Sequence, residues 1–242
     1  MQRVDAPEIL DSDACSPADA QAVLGVIARV NRWFGGVATT QKMVERVART
    51  SGINRFSLLE VAAGLGGVPE TARRNLARRG ITLDVTLVDI APSHLPGRHS
   101  AANPAGRNQG VAADALSLPF CDEAFDLVSC SLFAHHLDPL RLRQFVNEGL
   151  RVSRRALLIN DLVRHRLHLA LAFAGYPLMR NRVAWRDGLT SVRRAYVPGE
   201  IRSLLALEFP AAKSPRVEIS RHYLFRMGVI VWKKPSGEEA AA

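Results

Sequence analysis

Three acids and one glycine turn carry the chemistry that can be read from this sequence. Leu58–Gly67 reads LLEVAAGLGG, an apolar run entering a glycine-rich turn. A residue without Cβ lets the backbone approach a ligand closely. Glu60 lies inside the apolar run, two residues before the turn. A buried carboxylate there is costly without a partner, and the ammonium of an amino-acid-like ligand would supply one. Asp89 closes the next apolar run, 25 residues after Gly64, and Asp114 closes a third in AADAL. A dinucleotide fingerprint asks for G-x-G-x-x-G after a strand and an acid about 20 residues on. Ala62, Gly64 and Gly67 occupy the three positions here. Glycine spacing alone therefore leaves open a dinucleotide, a smaller cofactor or nothing. Glu60 and Asp114 weigh against a nicotinamide cofactor.

The elements that hold these residues follow from periodicity and from chain breakers. Residues 1–15 are polar, with Pro and Asp, and read as a frayed end. Ser16-Pro17 reads as an N-cap with Pro at the first helical position, opening a helix to about Phe34. Gly35-Gly36 breaks it, and Val37–Arg49 is a second helix, ended by Ser51-Gly52. From Phe56 the rhythm changes. FSLLEVA, TLDVTLVDI, QGVAADA, AFDLVSCSLF and RALLIND read as five strands. Helices over Val68–Arg79 and Asp138–Leu150 alternate with them, the pattern of a parallel sheet with crossover helices. Leu162–Pro198 interrupts the rhythm with a helical insert rich in Arg, His and aromatics. Pro198–Leu207 is one more helix, and RVEISRHYLFRMGVIVWKK reads as an antiparallel hairpin at the sheet edge.

With these elements in order, the chain resembles a known family. EVAAGLG from Glu60, LVDI with Asp89, AADALSLPF with Asp114 and DEAFDLVSCSLFAHHL stand in register. Together they are similar to class I S-adenosylmethionine-dependent methyltransferases, and within them to the group related to ubiquinone and menaquinone C-methyltransferases. The resemblance covers roughly residues 56–160. It implies a Rossmann-like α/β fold: a seven-stranded, mostly parallel sheet with helices on both faces. A single domain is expected, with an N-terminal helical cap (1–52), a cofactor-binding core (53–161), a helical acceptor-pocket insert after strand 5 (162–200) and a C-terminal helix and hairpin (201–242).

The resemblance also implies roles. Glu60 faces the methionine end of S-adenosylmethionine, whose product is S-adenosylhomocysteine. Gly64 lets the backbone approach, and Ala62, where the family usually has glycine, makes a slightly tighter turn. Asp89 accepts from the ribose hydroxyls, and Ile90 packs on the adenine. Asp114 accepts from the adenine amino group, Ala115 supplies backbone contacts, and Ser131 lies near the sulfonium. NRWFGG, Asn31–Gly36, resembles the cap of related small-molecule methyltransferases. There Arg32 would pair with the cofactor carboxylate and Gly36 would allow close approach. The alternative for Arg32 is a surface arginine at a helix end.

Methyl transfer to oxygen or to an activated aromatic carbon gains from a nearby base. His136 and His135, after the fourth strand, suit proton removal near neutral pH, and Asp161 ends the fifth strand on the same side. The alternatives are packing for the histidines and a helix cap for Asp161. His165 and His168 stand three apart without a third ligand, so no metal is expected. His165, Tyr176, Trp185, Arg193, Arg194 and Tyr196 are the candidate acceptor-binding residues of the insert, which could instead be a purely stabilising lid. HRLHLALAFAG followed by WRDGLTSVRRAY is similar to bacterial methyltransferases found near type III polyketide synthases. That implies a phenolic or lipid-like phenolic acceptor, and secondary metabolism. The expected activity is O-methylation of a small aromatic or hydrophobic hydroxyl compound. The alternatives are C-methylation of a quinone or polyketide-type aromatic, RNA methylation, or cofactor binding without turnover.

Composition narrows the setting. The 242 residues carry a net charge of +9, and Arg supplies most of the Lys and Arg total. The arginines are scattered through nearly every helix-like segment rather than gathered in a patch, which argues against a nucleic-acid partner. Cys15, Cys121 and Cys130 make no disulfide framework, and the opening MQRVDAPEIL is no signal peptide. A cytoplasmic protein is expected. The longest apolar run, Leu167–Met179, is interrupted by His168 and Gly175 and is too short to span a bilayer. Domain size leaves a homodimer open.

Overall fold

A computed structural model describes residues 1–8, 17–96, 109–208 and 215–234. Ser16 and Cys15, on which the expected N-cap and one cysteine fall, lie outside the described residues. The chain opens with α1 (Pro17–Trp33) and α2 (Gly36–Ser51), joined by the left-handed residue Gly35. There follow β1 (Arg55–Val61), α3 (Gly67–Ala77), β2 (Thr82–Asp89), β3 (Gln109–Ala112) and β4 (Phe125–Ser131). Next come α4 (Pro139–Val152) and β5 (Ser153–Leu162). The insert is α5 (Arg166–Ala174), α6 (Tyr176–Met179) and α7 (Arg182–Arg194). α8 (Pro198–Glu208), β6 (Val217–His222) and β7 (Arg226–Trp232) close the chain.

The strands form one seven-stranded sheet in the order β3-β2-β1-β4-β5-β7-β6. β1 to β5 are parallel, and β7 runs antiparallel between β5 and β6. The expected finishing hairpin is thus present, with β7 inside the sheet and β6 at its edge.

Helices cover both faces, which is why the inner strands read as nearly unbroken apolar runs. Side chains alternate across the sheet with period two. Along β5, Leu157 and Ile159 join Phe145 and Val146 of α4 and Ile201 of α8 on one face. Ala156 and Leu158 turn to the other face and pack with Met43 and Val47 of α2 and Leu76 of α3. Cys130 is buried in the first of these cores. α4 begins where Asp138 accepts hydrogen bonds from the amides of Leu140 and Arg141, with Pro139 at the first helical position. No described helix is long and apolar enough to cross a membrane.

The N-terminus departs from the sequence reading. Residues 1–8 are tied to the body of the protein. Arg3 donates to the carbonyls of Arg194, His135 and Leu137 at 2.7 to 3.0 Å, and its guanidinium lies over the Tyr196 ring. A polar segment reads as frayed from sequence alone because its partners lie more than 130 residues away.

Candidate functional site

The sheet order reverses direction between β1 and β4, and in such sheets ligands gather outside the carboxyl ends of the strands at that point. β1 ends in Glu60-Val61, and Ala62 follows with a φ of +53°. Gly64 and Gly66 continue the turn with φ of +50° and +68°. Gly66 is also a tight site, since a Cβ there would lie 2.6 Å from Leu87. Ala62 holds a left-handed conformation that costs an L-residue roughly 1–2 kcal/mol. α3 starts directly after the turn and points its amino end towards it.

Asp89, at the end of β2, organises this turn. Its Oδ2 accepts from the Gly64 amide at 2.9 Å, and its Oδ1 accepts from the Ala91 amide at 3.1 Å. His94 stands 3.2 Å from Oδ1. Ile90 is 73% exposed, an apolar side chain presented to solvent beside the turn. Asp114 is exposed and accepts from the Leu116 amide, while Ala115 is buried. Ser131 ends β4, half-buried.

Glu60 is almost wholly buried, and the Ser129 hydroxyl on the adjacent β4 donates to it. Burial pushes its carboxyl up to about 7, offset only in part by serine hydroxyls. No charged group among the described residues contributes to that shift. The sequence shows Ser129 and Ser131 only as polar breaks in LVSCSLF. The register that sets Ser129 opposite Glu60 is a property of the sheet.

α1 roofs this turn. Leu24 approaches the position of a Gly64 Cβ to 3.3 Å, and Arg32 lines a cavity of about 200 Å³ with Gly67 and Thr71. Arg32 is exposed. Gly36 has a different neighbour: a Cβ there would lie 2.5 Å from the Asn31 Oδ1. The close approach that Gly36 permits is that of Asn31. Asn31 accepts from the Arg226 guanidinium at 2.9 Å. Arg226 also donates to Asn160, whose own amide donates to Gly36 O and Thr40 Oγ1. Burial brings the Arg226 guanidinium down to about 10. Sequence reasoning missed this network; its one visible signal is an arginine opening the apolar strand RMGVIVW.

A second polar cluster lies at the ends of β4 and β5. Asp161 receives the His135 backbone amide at 2.9 Å and faces His135 Nδ1 at 2.7 Å. The far nitrogen of His135 stands 3.5 Å from Glu8 Oε1, and His136 Nε2 stands 3.8 Å from Glu8 Oε2. Burial alone would favour neutral groups, yet the mutual attraction wins. It raises His135 to about 9 and holds Asp161 and Glu8 below the usual carboxylate range. His135 is therefore a buried cation at neutral pH, whereas His136 is half-buried and stacks on Phe133. Asp161 caps no helix. The first turn of α5 is capped by His165, whose Nδ1 accepts from the Leu167 amide.

The insert residues divide into two groups. Arg194 and Tyr196 are buried and donate to the carbonyls of His136 and Leu137 at 2.8 Å. Arg193 is exposed. Trp185 donates to the carbonyls of Ala172 and Phe173 and meets the exposed Tyr176 edge to face. His165 and His168 both stack on Phe225.

With this geometry in place, comparison with known proteins gives the class. Residues 59–156, which carry the acids and the glycine turn, match the family model described as a methyltransferase domain. That stretch of the chain is thus similar to a methyltransferase domain. The fold is shared with solved structures at low identity. The plantazolicin methyltransferase BpumL, solved with SAH, is 11% identical, with 90% of this chain and 95% of that one covered and a TM-score of 0.65. An O-methyltransferase family 2 protein from Planctomyces limnophilus, in complex with apigenin, is 17% identical over 92% of this chain and 63% of that one, TM-score 0.59. A proposed O-methyltransferase from Nostoc punctiforme is 14% identical over 88% of this chain, TM-score 0.57, and this chain spans only 60% of its length. No curated protein matches the sequence.

Proposed function

We propose that the chain transfers the methyl group of S-adenosylmethionine to the oxygen of a small aromatic, phenolic or lipid-like hydroxyl compound. The observation that carries the cofactor assignment is Glu60, a carboxylate buried with no cation beside it among the described residues, at the mouth of a left-handed turn. A ligand ammonium completes it. Asp89 holds the Gly64 amide and retains acceptor lone pairs for ribose hydroxyls. Ile90 offers an apolar face to the adenine, and Arg32, exposed at the cavity beside Gly67, would pair with the cofactor carboxylate. When bound, the cofactor supplies an electrophilic methyl group and its own leaving group.

The chain's residues then have three tasks: to align the acceptor, exclude water and receive the hydroxyl proton. His136 suits the last, because it is the accessible histidine of its cluster, while His135 already carries its proton. Tyr176, Trp185 and the exposed apolar side chains of α5 supply a wall for an aromatic acceptor. The apigenin complex of the Planctomyces protein favours a phenolic class.

Calorimetry with S-adenosylmethionine and, separately, NADH tests the cofactor. Micromolar binding of the first alone is expected, and a folded protein that binds neither overturns the assignment. Incubation with methyl-labelled cofactor and a phenol panel tests the acceptor. Label recovered on carbon rather than oxygen would replace O-methylation by C-methylation.

A further inference from the structure

Glu8, His135 and His136 place one ligand atom each within 4.8 Å of one another. Such a set, two imidazoles and one carboxylate, is what zinc and similar divalent ions take, with ligand bonds of about 2.0–2.2 Å. The separations of 3.5 and 3.8 Å from the Glu8 oxygens to the two histidine nitrogens fit ligands around one ion. His135 Nε2 is buried and makes no well-formed hydrogen bond. It is aimed at the centre of the set by Asp161, which faces the opposite ring nitrogen at 2.7 Å. A carboxylate holding the far nitrogen of a ligating histidine is the usual outer support of a metal site.

We propose that Glu8, His135 and His136 bind a single divalent transition-metal ion of the zinc class, with Asp161 as positioning residue. The ion replaces the proton on His135 Nε2 and takes the lone pair of His136 Nε2. It joins residues 1–8 to the loop after β4, a link now made by the ion pairs of Glu8 and the hydrogen bonds of Arg3. Ser191, which donates to Glu8 Oε1 at 2.9 Å, and Arg194, 3.9 Å from the same oxygen, leave Oε2 as the better ligand atom. A metal-bound His136 accepts no proton, so occupancy and the base role assigned above exclude each other.

The test uses the whole chain, stripped with a chelator and titrated with Co²⁺ and then Zn²⁺. One Co²⁺ per chain is expected, with visible absorption bands of a low-coordinate nitrogen and oxygen site that Zn²⁺ abolishes. Glu8→Gln and His136→Ala, each checked for native circular dichroism, should weaken binding by roughly tenfold or more. No stoichiometric ion, or binding that survives both substitutions unchanged, overturns the proposal. Because the readout is metal content and spectrum, its failure is separate from any failure of methyl transfer.

Discussion

Glu60 and Asp161 are carboxylates buried to the same degree at the ends of neighbouring parts of one sheet, yet their acidities move in opposite directions. Glu60 has only hydroxyl partners, and burial raises it to about 7. Asp161 has the His135 cation within 2.7 Å, and its carboxyl falls. Desolvation acts on both; a compensating charge exists only at one. The half of the site that the protein leaves uncompensated is the half that asks for a charged ligand. The half it has balanced is suited to holding the chain together.

The sharpest way to break this contrast is Asp161→Ala. It leaves a buried cation short of one partner and three hydrogen bonds unmade, and should cost about 3–5 kcal/mol in chemical unfolding. A loss below 1 kcal/mol, about that of an ordinary exposed pair, would erase the distinction.

Glu60→Gln should act with the other sign. The folded carboxyl titrates near 7 and the unfolded one near 4.5, so the folded state binds the extra proton between those values. The Glu60 contribution to the stability of the ligand-free protein therefore falls as pH rises from 4.5 to 7 and is flat above. The full penalty, about 3 kcal/mol, is present at pH 8. The glutamine variant should lose this slope and be the more stable protein at pH 8, with weaker cofactor binding. A stability difference between wild type and the glutamine variant that stays constant from pH 5 to 8 would contradict the assignment.

Asp89→Ala removes the acceptor that holds the Gly64 amide and should weaken S-adenosylmethionine binding by roughly a hundredfold, with unfolding stability less affected. Unchanged calorimetric affinity would move the cofactor elsewhere. The smallest effect is expected at Ala62→Gly. Release of left-handed strain is offset by the greater freedom of unfolded glycine, leaving a net change under about 1 kcal/mol.

These contrasts also show what a sequence can reveal. Glu60, Asp89 and Asp114 were legible because each stands at or just beside the carboxyl end of a strand, and strands alternating with helices fix where those ends meet. The hairpin of β6 and β7 was legible from its own local pattern. Glu8 was not, because a lone acid in a polar stretch gives no signal of a partner 127 residues away. Gly36 was visible as a position that demands no side chain. What demanded it, the Asn31 amide, depends on how α1 meets α2. The insert gave aromatics and arginines as one group, and only packing separated the buried Arg194 and Tyr196 from the exposed Tyr176 and Arg193.

The hydrogen bond between Arg226 and Asn31 spans 195 residues. During synthesis the roof over the glycine turn emerges 195 residues before its clasp. The Arg226 clasp cannot form until β7 lies between β5 and β6, so a nascent chain lacking β7 has its roof without that clasp. Competence to hold a ligand thereby becomes a report that β7 is in its place in the sheet.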